Sequence, residues 1–416
     1  MATTTIRPSV DASRPRTTER RFFPELEGMR GLAAMGVLTT HVGLSAGIIG
    51  LMDQEPKGFY GVLLQQLQVS LPIFFILSGM LLYRPFALAT LAGTRKPAVK
   101  PYLWRRVLRT LPAYWALVAV AMTFLNRENI HGAWQVIRAV LLLQVYQLDS
   151  RTVAQGLEQT WTLATEVAFY ALLPLMARAL DKIAGRSPDP GVRVRRILWA
   201  LSSLVVLGFV FCVWTELPSM GQYPMQNEWP PKWFGFIAVG MGLAALSAAA
   251  DLSPATIPAI YRWMMKHPLW CWAAAFAIYV VACVRPIGKP GYADYPDMAG
   301  GLTEMLLYML FGLFIVAPVT VPHDRSKFVI AAMSNPVMRF LGRISYGLYL
   351  WHIAVIYFWQ GGIFGPGGFW KLFGITLGGT IVLATASFYL IESPAMKLRE
   401  RLGKASAGPS VETIHS

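Results

Sequence analysis

Charge is scarce in this 416-residue chain: Asp, Glu, Lys and Arg make up 14% of it, against 55% hydrophobic residues. Soluble domains run near a quarter charged. A chain so poor in charge cannot clothe its own surface with polar groups, which excludes disorder and the ordinary soluble classes. Its mean hydropathy of +0.46 makes a bilayer the natural solvent. Cysteine is nearly missing as well. Cys212, Cys271 and Cys283 lie in apolar stretches with no CxxC spacing, so neither a disulfide framework nor a metal site is expected. Residues 1–24 are polar and Arg-rich and lack the apolar core of a cleavable signal. No internal repeat, low-complexity tract or extramembrane region of domain size stands out. The expected organisation is a transmembrane domain over 22–396, with disordered cytoplasmic tails at 1–21 and 397–416.

What the chain has in abundance is long apolar runs. About 20 residues cross a bilayer, and ten runs qualify: 31–51, 69–91, 110–125, 161–180, 197–215, 233–250, 269–287, 301–321, 344–362 and 372–391. The predicted fold class is therefore an all-α polytopic bundle of about ten transmembrane helices. The run 133–147 is short and carries Arg138. With the N-terminus inside and ten spans, 29 of the 37 Lys and Arg residues fall in cytoplasmic segments, as positive-inside orientation requires. A crossing at 133–147 would move every later basic segment outside, so that run is expected to lie on or dip into the membrane. Both termini are then cytoplasmic. The net charge of +15 becomes a matter of topology, with membrane lipids as sufficient partners and no nucleic acid expected.

Ionisable groups inside spans are costly and mark functional sites. His41 lies within the first span and His352 about halfway along the ninth. Glu166 is read near the outer part of the fourth, and Glu304 at the outer start of the eighth, where snorkelling is sufficient explanation. Arg30 and His41 are eleven residues apart, almost three helical turns, so they share a face at about 16 Å separation. Arg106 and Arg109, like Arg105 and Arg109, share a face at the inner start of the third span. Paired guanidiniums suit a ligand with several phosphates, although inner arginines also serve plain topology.

Five segments together resemble the acyltransferase-3 family of membrane O-acyltransferases, over about 22–395. Glu25-Leu-Glu-Gly-Met-Arg-Gly-Leu-Ala-Ala followed by His41 is similar to the family's opening signature. Phe74-Phe-Ile-Leu-Ser-Gly-Met-Leu-Leu resembles its second-span motif, and Arg106 and Arg109 fall on its RxxR pair. Trp161-Thr-Leu-Ala-Thr-Glu-Val-Ala-Phe-Tyr resembles WSLxxExxFY, and Ser345-Tyr-Gly-Leu-Tyr-Leu-Trp-His resembles SYxxYLxH. Glu27, Thr162 and Ala354 depart from the usual Asp, Ser and Pro, and no fused SGNH domain is found.

The resemblance implies an acyl-CoA donor, usually acetyl-CoA, on the cytoplasmic side of what is expected to be a bacterial plasma membrane. Arg30, Arg106 and Arg109 would bind it. His41 would be the general base, with Glu166 orienting its imidazole. His352, Trp161 or Tyr346 would stabilise the oxyanion, and a covalent route through Ser78 or Ser345 ranks lower. The acceptor would be a hydroxyl of a cell-envelope glycolipid or glycan, with mycolyl glycolipids as one candidate, entering past segment 126–160. Two rival readings remain: a proton-coupled transporter or flippase of a glycolipid, and a tailoring acyltransferase acting on a small secondary metabolite.

Overall fold

A computed structural model of the chain describes residues 23–50, 54–146, 153–185, 187–221, 224–285, 287, 297–322, 326–365 and 368–398. The tail expected at 1–21, and that at 397–416 from residue 399 onward, lie outside them; residues 397 and 398 are helical. All regular structure among the described residues is helical.

The chain runs through α1 (Pro24–Ser45), α2 (Gly58–Gln66), α3 (Ser70–Ala92), α4 (Val99–Val120), α5 (Ala133–Val140), α6 (Trp161–Ala184) and α7 (Pro190–Thr215). It continues through α8 (Pro230–Leu252), α9 (Ala259–Lys266), α10 (Pro268–Val284), α11 (Met298–Val316), α12 (Lys327–Met333), α13 (Pro336–Gln360) and α14 (Phe369–Ser387). Seven helical stretches among the described residues are long and apolar enough to cross a membrane, and α9 with α10, bent by 98°, adds an eighth. The other two expected spans coincide with α1 and α13, of 22 and 25 residues. Their length suffices, but Glu25, Glu27, Arg30 and His41 on one, and Arg339, Arg343 and His352 on the other, dilute their hydropathy. Apolar side chains such as Trp199, Val210, Phe276 and Val382 point outward, as lipid-facing surfaces do.

The expected non-crossing of 133–147 holds: α5 is eight residues, far too short to span, and turns at Leu142 into a 3-10 turn over Gln144–Tyr146. The last span differs from expectation. Glu392 does not end it; the helix passes through a wide π turn at Phe388–Glu392 and continues to residue 398. Pro394 lacks an N–H and would clash with the carbonyl four residues earlier, and the wider turn accommodates that defect.

Two glycine-mediated crossings set the core. A Cβ on Gly79 of α3 would stand 2.2 Å from the Ile237 carbonyl oxygen, and one on Gly240 of α8 would stand 1.9 Å from that of Ile76. Small residues let membrane helices approach this closely. At the second crossing, Gly31 of α1 abuts the Gly342 backbone of α13, and Gly342 abuts the Glu27 carbonyl. His41 and His352 each lie ten residues beyond their glycine, about 15 Å along the axis. α1 and α13 leave this crossing in the same direction, so the two imidazoles arrive at one level.

Candidate functional site

The two histidines meet there. The His41 Nδ1 lies 3.2 Å from the His352 Nε2, with ring centroids 4.9 Å apart. Each ring also places Nδ1 against the carbonyl one turn back: His41 at 2.9 Å from Val37, His352 at 3.2 Å from Leu348. A carbonyl only accepts, so both neutral rings carry their proton on Nδ1. The His352 Nε2 is then a lone pair facing the His41 Nδ1–H. The His41 Nε2, with no hydrogen-bond partner among the described residues, keeps a lone pair free. His352 is fully buried, whereas His41 is only partly so. The arrangement supplies a base with a defined tautomer, backed by an acceptor for the proton on its far side.

At the basic end of the bundle a second cluster forms. Arg30 of α1, Arg106, Arg109 and Thr110 of α4, Ser78, Leu81 and Leu82 of α3, Glu166 and Tyr170 of α6, and Tyr346 of α13 line a partly open cavity. Other cations of this end are spent on structure. Arg84 pairs with Asp251 and Ser247, and Lys96 pairs with Asp181. In contrast, the Nε groups of Arg30 and Arg106 are buried without an acceptor. Orphaned buried donors are expensive, and an anion entering the cavity would satisfy them.

Glu166 belongs to this cluster. Its carboxylate accepts from the Ser78 hydroxyl at 2.8 Å and the Tyr170 hydroxyl at 2.5 Å, and none of its hydrogen bonds among the described residues reaches His41. Its expected role as the partner of His41 is corrected: His352 occupies that position. The expected depth fails for a physical reason. The segment before α6 folds into the protein, with Leu157, Gln159 and Thr160 buried and the Gln159 amide donating to the Leu350 carbonyl at 2.7 Å. The helix therefore starts deep, and Glu166 lies toward the basic end.

The other candidates separate in the same way. The Tyr346 hydroxyl is committed to the Thr110 carbonyl at 2.7 Å, and the Trp161 ring packs between Phe75 and Trp233. Ser345 is buried and donates to the Gly342 carbonyl of its own helix, and Ser78 donates to Glu166. Thr162 keeps the hydroxyl of the Ser it replaces, engaged with the Tyr349 hydroxyl at 2.6 Å. Arg105 does not line the cavity, and Glu304 forms a 2.8 Å ion pair with Arg285. Sequence reasoning missed Glu392, which is 5% exposed and feels the charges of Arg109 and Arg30. Only an acid inside a span, read as such, could have flagged it.

The cavity lining stops short of His41. Between the two clusters lie Phe74, one turn from Ser78, and Tyr349, one turn from both Tyr346 and His352. Their rings stand 5.7 Å apart, and that of Tyr349 is 6.0 Å from His352.

Outward apolar helices of spanning length around a polar interior define an integral membrane protein. The chain belongs to the family of acyltransferase domains, whose model matches residues 23–392. It is similar to a provisionally named O-acetyltransferase of Staphylococcus aureus (strain COL), 25% identical over 402 residues covering 91% of this chain and 58% of the relative. The provisionally named peptidoglycan O-acetyltransferase YrhL of Bacillus subtilis is 25% identical, with 91% of this chain and 56% of that one covered. The peptidoglycan O-acetyltransferase OatA of Listeria monocytogenes is 23% identical, with coverage of 92% and 57%. The chain thus spans less than two thirds of the length of these curated relatives. No solved structure matches it.

Proposed function

We propose that the protein is a membrane O-acetyltransferase that moves an acyl group, normally acetyl, from cytoplasmic acyl-CoA to a hydroxyl of a cell-envelope glycan. The observation that carries this reading is the His41–His352 pair, a tautomer-fixed base one helix ruler away from an anion pocket.

The residues fit a phosphate-bearing donor. Arg30, Arg106 and Arg109 would hold its phosphates, the first two through donors that otherwise lack an acceptor. What such a donor supplies is an acyl group already activated as a thioester. The distance of about 16 Å from Arg30 to His41 calls for a long thin arm passing Phe74 and Tyr349. Glu166, held by Ser78 and Tyr170, fixes the polar wall of the pocket.

The His41 Nε2 takes the proton of the incoming hydroxyl as its oxygen attacks the acyl carbonyl. The charged ring then shares its Nδ1–H between the Val37 carbonyl and the His352 Nε2. The proton leaves with the departing thiolate, so ester and free thiol are the products and the ring is restored. Family membership favours this reading over a transporter. The peptidoglycan names of two relatives favour a glycan acceptor over a mycolyl glycolipid.

The test is transfer of radiolabel from acetyl-CoA by the purified protein to envelope glycan in membrane vesicles. Wild type should label the glycan, and His41→Ala should do so about 100- to 10,000-fold more slowly while inserting normally. A fully active His41→Ala protein would remove the base from the mechanism.

A further inference from the structure

The basic cavity presents buried donors without acceptors. On the other side of the histidines the imbalance reverses. The Oε2 of Glu158 and the Oε1 of Gln159 are buried acceptors with no donor, and Gln159 is only 2% exposed. Their other atoms are firmly engaged. The Glu158 Oε1 accepts from the Tyr357 hydroxyl, and the Gln159 Nε2 donates to the Leu350 and Gly156 carbonyls. The amide therefore cannot flip to trade its orphaned oxygen for a donor without losing both bonds. The loop carrying these residues is pinned: the Asn126 side chain donates to the Gln155 carbonyl at 2.9 Å and accepts from its N–H at 2.8 Å. Tyr349, whose ring neighbours His352, donates to the Gln159 carbonyl. Tyr357 lies five residues beyond His352, about 7.5 Å along α13. Two orphaned acceptors on consecutive residues of a rigid loop, the first tied to Tyr357 about a turn and a half beyond His352, match a ligand rich in hydroxyl donors. The backbone N–H groups of Gly156, Leu157 and Glu158 lie near the Glu158 carboxylate without making a hydrogen bond to Oε2, so that oxygen still lacks a donor.

From these positions we infer that Glu158, steadied by Tyr357, and Gln159 form the acceptor subsite, binding neighbouring hydroxyls of a sugar while one of them reaches the His41 Nε2. This names the acceptor side of the proposed transfer and rests on that reading for the last clause only.

Binding and transfer are measured separately to test it. Calorimetric titration of the detergent-solubilised protein with chitotetraose should show saturable binding. Glu158→Gln, which keeps the shape, and Tyr357→Phe should each weaken that binding about tenfold or more. Arg106→Ala should bind the sugar as wild type does. Glycan acetylation should show the same split: an acceptor KM raised about tenfold in Glu158→Gln, with the acetyl-CoA KM unchanged. Absence of sugar binding by the wild type, or unchanged binding in a stably folded Glu158→Gln protein, would overturn the subsite. A protein that binds chitotetraose through Glu158 yet transfers no acetyl group would instead overturn the transfer reading and leave the subsite standing.

Discussion

Replacing His352 by Leu removes one acceptor from behind the base without emptying the site. The Leu348 carbonyl that loses the His352 Nδ1–H still belongs to the ladder of α13, so little else is disturbed. The loss follows from the geometry. A hydrogen bond to a charged group contributes about 1.5–3 kcal/mol. His41 shares its Nδ1–H between Val37 at 2.9 Å and His352 at 3.2 Å, so the longer arm deserves the lower part of that range. Taking about 1.5–2 kcal/mol and tenfold per 1.36 kcal/mol gives a fall in kcat of about 10- to 30-fold. The acetyl-CoA KM should stay put, because the arginine pocket is untouched. His352→Gln, which can return an amide oxygen to the same place, should recover part of the rate. The decisive measurement is a double-mutant cycle in the acetyl-transfer assay. Once His41 is Ala there is no imidazolium for His352 to support, so His41→Ala with His352→Leu should be no slower than His41→Ala alone. A further drop of about 10- to 30-fold in the double variant would show that His352 acts independently and would refute the pairing.

Three other outcomes are expected. Arg106→Ala combined with Arg109→Ala should raise the acetyl-CoA KM by at least tenfold with the acceptor KM unchanged in steady-state kinetics; movement of the acceptor KM alone would put the donor elsewhere. Gly342→Val should lower thermal stability in detergent by about 1–3 kcal/mol and reduce transfer, because its Cβ would sit 2.2 Å from the Glu27 carbonyl oxygen; a stable, active variant would contradict the crossing. Ser78→Ala loses one hydrogen bond to Glu166 and should keep at least a tenth of wild-type transfer, whereas total loss would revive a covalent route.

Much of the architecture was legible because apolar runs and basic loops are local signals. All ten spans have a helix where expected, and the short reach of α5 followed from charge parity before any geometry. The pairing of Arg106 with Arg109 was readable from helical phase, and their grouping with Arg30 from the family resemblance. The partnership of His41 was not. It depends on a crossing between helices more than 300 residues apart, fixed by Gly31 and Gly342, whose spacing means something only once α1 and α13 are known to touch. Glu166 was misplaced for a related reason. Depth was counted from a helix start assumed to lie at the membrane surface, while the preceding loop dives inward. The last helix outruns its expected end at 391 because a π turn absorbs Pro394.

The equal ten-residue rulers on α1 and α13 make the active level sensitive to length rather than to composition. Inserting a single residue between Gly342 and His352 would swing the ring by about 100° and lift it about 1.5 Å, so the imidazoles would no longer face each other. Adding seven, about two turns, would recover the direction but raise one ring about 10 Å above the other. Natural variation in these two stretches is therefore expected to avoid gaps.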